Sequence, residues 1–131
     1  MQMVFAEATL LVQLRKKDLV QRLFGTSHSF HVVDIVADQL DGETKSLFFA
    51  SGLIEQSLGS SEMMQLADAC RTLTCACVGQ AASLIYAETS GSGILSASIP
   101  FIKVERVKRC GVHDLDWVEA TLSSTITPSK L

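Results

Sequence analysis

Charge is what this sequence has least of. Only 19% of its 131 residues are charged, against 47% apolar, and the net charge is −3. A mildly acidic chain lacks the basic excess that a nucleic-acid or anionic membrane surface demands, so no nucleic-acid partner is expected. So few charges also leave apolar surface to cover, which points to a homodimer or other homo-oligomer. No apolar run reaches the ~18 residues of a membrane span, so no membrane insertion is expected. Met1 to Leu14 lacks a basic stretch and is interrupted by Glu7, so it does not read as a secretory signal. The cysteines, at 70, 75, 77 and 110, offer no disulfide framework, and Cys75 and Cys77 are too close to bridge. Reduced thiols in an intracellular compartment follow. The sequence has no glycine-rich phosphate loop, no Gly-x-Ser-x-Gly elbow and no His-Glu-x-x-His. Cys110 and His113 would need two more ligands to hold zinc. His28 and His31, three apart on a strand, point to opposite faces. Neither a metal nor a cofactor is therefore expected.

The strongest positive signal lies between Ser61 and Glu88. Met63, Leu66, Ala67, Cys70, Leu73, Thr74, Cys77, Val78, Ala81, Leu84 and Ile85 follow the rhythm of one helical face. Ser60 and Ser61 suit its start, and Thr89 to Gly93 its end. A helix of that span is roughly 40 Å long, a spine for a small domain. On it, Cys70 and Cys77 fall on the buried face as small hydrophobes.

The rest of the chain is read around that spine. Met3 to Phe24 carries a second amphipathic pattern and predicts an N-terminal helix ending at Gly25, with a strand over Phe5 to Leu14 as the rival. His28 to Leu53 reads as a β-hairpin turning at Asp41-Gly42. Ile94 to Val107 reads as a long strand bent or placed at an edge by Pro100. Leu115 to Ile126 reads as the last strand. The expected class is α+β, in the order α-β-β-α-β-β: an antiparallel sheet of four or more strands with helices on one side. One domain covers residues 1–126, and 127–131 form a flexible tail. A chain of this size buries roughly two thirds of its unfolded surface, enough for a core without staples.

Ser129-Lys130-Leu131 is the sharpest motif. A C-terminal Ser-Lys-Leu is the address read by the peroxisomal import receptor, so the peroxisome matrix is the expected location, and the cytoplasm otherwise. Cys110-Gly-Val-His113 is a candidate nucleophile and base, with Lys103, Arg106, Lys108 and Arg109 near enough in sequence to favour a thiolate. The basic run itself is broken by Glu105 and carries no aromatics.

A long apolar helix wrapped by antiparallel strands resembles the hotdog architecture of acyl-thioester enzymes. That resemblance would make Asp68, or Glu62 near the helix start, the acid that positions water. The order α-β-β-α-β-β also resembles roadblock-type dimerisation modules, whose central helix and sheet edge form the dimer interface. Two functions follow. One is a small peroxisomal enzyme or enzyme subunit acting on an acyl-thioester or similar metabolite. The other is a non-catalytic oligomeric adaptor or assembly module.

Overall fold

The computed structural model describes the backbone of residues 1–126. The elements in chain order are β1 (Gln2–Phe5), α1 (Ala8–Lys16), α2 (Val20–Phe24), β2 (Ser29–Val33), α3 (Asp34–Ala37), α4 (Gly42–Ser51) and β3 (Ile54–Gln56). They continue as α5 (Ser60–Thr72), α6 (Val78–Ser90), β4 (Gly93–Leu95), α7 (Ile99–Ile102), α8 (Glu105–Cys110), β5 (Val112–His113) and α9 (Leu115–Ile126). The strands form one sheet in the order β3-β2-β1-β4-β5, and every pairing is parallel. Parallel neighbours need crossovers, and helices provide each one here. Chain progress reverses between β1 and β4, so the sheet is doubly wound.

Alternation along β1 divides the core. Met3 and Phe5 join a cluster with Leu10, Leu11 and Leu14 of α1, Leu23 of α2, Phe48 of α4, and Val118 and Leu122 of α9. Val4 and Ala6 point the other way, to Ile94, Leu84 and Ala87 of α6, Phe101 of α7 and Val107 of α8. Helices therefore cover both faces. Phe5 is the hub of the first side: its ring lies 5.7 Å from Phe30 and 6.4 Å from Phe48. At its start α6 packs closely on α3 because residue 79 is glycine. A Cβ there would stand 3.0 Å from Val36 Cγ2 and 3.9 Å from the Ala6 carbonyl.

These observations overturn the antiparallel α+β expectation. The N-terminal helix is a strand and two helices, broken where Asp18 takes a positive φ of 57°. The hairpin over residues 28–53 is β2 followed by α3 and α4. Asp41-Gly42, read as its turn, is a helix start: the Asp41 carboxylate accepts the Thr44 N–H at 2.7 Å. The strand over 94–107 is only β4, and Pro100 sits in the first turn of α7, where a missing N–H costs nothing. The last strand is helix α9. The spine over 61–88 is an α5–α6 pair. Leu73 leaves helical geometry, and Gln80 Oε1 accepts the Cys77 N–H to start α6 afresh. Cys70, on the outer face of α5, and Cys77, just before α6, are exposed and not buried.

Candidate functional site

In a doubly wound sheet, ligands bind outside the carboxyl ends of the strands, where the strand order reverses. Here that place lies between the ends of β1 and β4, whose chains are joined by the Ala6 N–H donating to the Leu95 carbonyl at 2.9 Å. Glu7 follows directly after β1 and is nine-tenths buried. Three donors from two elements, the loop after β4 and the start of α6, reach its carboxylate. The Ser96 hydroxyl, in the loop after β4, reaches Oε2 at 2.9 Å and Oε1 at 3.1 Å. The Ala97 N–H donates to Oε1. Gln80 Nε2, one turn into α6, donates to Oε2 at 3.1 Å. Behind them, Ser96 Oγ accepts the Ser98 N–H at 3.1 Å, and Gln80 is fixed by its own bond to Cys77. Each oxygen thus has two contacts, all from neutral donors. No ion pair to Glu7 occurs among the described residues.

This sheet order is also that of folds that hold dinucleotides, which raises the question of fit. One part fits. Asp34 stands at the carboxyl end of β2, where an acid holds ribose hydroxyls, and its Oδ2 accepts from Ser57 at 3.1 Å. The phosphate part does not fit. The turn from β1 into α1 is Ala6-Glu7-Ala8, with no glycine to let backbone approach a pyrophosphate. The place for that anion is taken by the Glu7 carboxylate, which would also repel it.

The residues singled out from the sequence lie elsewhere and apart. Glu62 is half-buried at the start of α5, where its Oε1 accepts the Gly59 N–H at 2.9 Å. Asp68 lies on the solvent face of α5, paired with Arg71 at 3.1 Å. Cys110 ends α8 and packs on the α6 side of the sheet. It lines a cavity of about 310 Å³ with Glu88, Ser92 and Arg106. Burial pushes its thiol pKa up, and Glu88 adds to this while Arg106 opposes it. Arg106 is itself occupied, donating to both oxygens of Glu88 at 2.7 and 3.1 Å. His113 belongs to the other side of the sheet. Its ring stacks on Trp117 of α9 with centroids 4.4 Å apart. Asp114 caps α9 by accepting the Trp117 N–H at 3.0 Å. The structure therefore does not bring these four residues together. Ser129, Lys130 and Leu131 lie outside the described residues.

A second polar cluster was also missed. His31 is buried on the α6 side of β2. Its Nδ1 lies 3.1 Å from Gln56 Nε2 and 3.5 Å from the Tyr86 hydroxyl, which accepts from Gln2 Nε2 at 3.0 Å. Burial lowers its pKa. These are neutral partners from two other strands and α6, the pattern of a satisfied buried histidine.

Of these features Glu7 left a mark in the sequence as a lone acid inside an apolar run, and His31 as a histidine weighed for a metal. Gln80 and Ser96 look like ordinary polar positions until the fold brings them 73 and 89 residues back along the chain to it. Among the described residues no three metal-binding side chains converge, and no helix is long and apolar enough to cross a membrane. Compared with known proteins, the chain matches no family model, and no curated protein is significantly similar to it.

Proposed function

We propose that this chain is a non-catalytic binding and assembly module that associates with copies of itself. The observation that carries the reading is the filled crevice: where the fold would seat a ligand, the chain seats its own Glu7. The partner surface we assign to α5 and the sheet edge beside it. Met63 and Met64 are 48% and 77% exposed, and Ile54 on the edge strand β3 is 45% exposed. Methionine adapts to varied partners, and an edge strand offers unpaired backbone groups. A second copy fits this face, because low charge and exposed apolar side chains are what a self-complementary interface of ~800 Å² per partner is made of. Light scattering after size exclusion tests it. The expected mass is at least twice 14.2 kDa, falling to the monomer in Met63→Glu/Met64→Glu with unchanged circular dichroism. A monomeric parent chain at ~100 µM overturns the reading, since stable interfaces hold well below that.

The enzyme reading keeps one observation, the cavity that Cys110 lines. In that reading the chain is a peroxisomal enzyme or enzyme subunit acting on an acyl-thioester or a similar metabolite. Its location rests on Ser129-Lys130-Leu131 forming a free carboxyl end for the import receptor. Acyl-thioester hydrolysis that is lost in Cys110→Ala would favour it. Absence of hydrolysis, with cytosolic location of the tagged chain, would remove it.

A further inference from the structure

We infer that the crevice between β1 and β4 is a receptor for a small monocarboxylate, and that the chain fills it permanently with the Glu7 side chain. The inference rests on the same filled crevice as the proposed function, but it makes a claim about ligand chemistry and not about assembly.

Three features define the receptor. Its donors are held by contacts other than Glu7: Ser96 is fully buried and accepts the Ser98 N–H, Gln80 is 6% exposed and tied to the Cys77 backbone, and the Ala97 N–H follows the end of β4. The donors match a planar group with two oxygens, since Ser96 reaches both oxygens while Ala97 and Gln80 take one each. They are all neutral. Three neutral donors suit a single negative charge, whereas a doubly charged phosphate in a buried place needs a cation that the cradle lacks.

Removing the side chain should therefore open a site for formate or acetate, and not for phosphate. The test measures thermal unfolding of the parent and of Glu7→Ala with sodium formate, sodium acetate or inorganic phosphate, at constant ionic strength. Glu7→Ala should gain about 5 °C at formate near ten times its Kd, and the parent chain should not respond. Adding Gln80→Leu should abolish the gain. Equal responses of parent and variant, or a larger response to phosphate than to formate, would overturn the inference. Should Glu7→Ala not fold, hydrogen exchange of the parent decides. The Ala97 amide lies in an exposed loop and has the Glu7 carboxylate as its acceptor. Slow exchange supports the cradle and fast exchange overturns it.

Discussion

Replacing Glu7 by glutamine changes one oxygen to an NH₂ and almost nothing in volume. In the parent chain both oxygens face donors: Ala97 N–H and Ser96 on one side, Gln80 and Ser96 on the other. Glutamine satisfies only one side. Whichever way its amide turns, its NH₂ meets the N–H of Ala97 or of Gln80, so one donor of the parent loses its acceptor and one N–H of the new amide finds none. Each such loss costs about 1–3 kcal/mol, so Glu7→Gln should destabilise the fold by roughly 2–4 kcal/mol. For a domain of this size a kcal/mol moves Tm by about 3–4 °C, so the expected fall is on the order of 10 °C. Urea and thermal unfolding followed by circular dichroism would measure it, and the paired variant Glu7→Gln/Gln80→Glu should recover part of the loss by returning a carboxylate to the pair. A Tm within about 2 °C of the parent's would refute the reasoning, because a buried carboxylate that orders three elements cannot be made half amide at so little cost.

Other consequences follow from the same structure. Burial lowers the pKa of both His31 and His113. The unfolded chain therefore takes up protons first, so stability from these groups is complete above about pH 6.5 and falls as pH drops below it. Urea midpoints at pH 8 and pH 5 should show that loss, and His31→Gln should lessen it. The raised Cys110 thiol should react with a thiol reagent at neutral pH later than the exposed Cys70, Cys75 and Cys77, giving three fast groups and one slow; four equal rates would contradict its burial. Phe5→Ala empties the hub between Phe30 and Phe48 and should cost about 3–5 kcal/mol in urea unfolding.

How much of this was legible in the sequence depended on which physical rule governed each stretch. Helix punctuation was legible. Ser60 begins α5, and Gly91, in the left-handed conformation, follows the last residue of α6, close to where the composition placed a start and a stop. The sheet was not. Its strands have two to five residues and are covered on both faces, so they appear as short apolar runs such as Met3-Val4-Phe5 with no alternation to mark them. The sequence rule that apolar period reveals secondary structure then merged β1 into the helices that follow it, and over α3, α4, α7, α8 and α9 it mistook helical patterns for strands. The break at Leu73 was hidden because Leu73, Thr74 and Cys77 continue the helical spacing across a turn. The crevice was the least legible of all. Glu7 stood out as an acid among hydrophobes, but the meaning of that position depends on β1 and β4 lying side by side, which only the parallel topology provides.

The central claim is that the crevice of this sheet is closed by the chain's own carboxylate. The most direct measurement is a calorimetric titration of the intact parent chain with NAD⁺ and with ADP-ribose. The account predicts no saturable heat up to millimolar nucleotide, because the anion's place is held by Glu7. Saturable binding at micromolar concentration, lost in Asp34→Ala, would contradict it and return the chain to the nucleotide-binding members of its fold class.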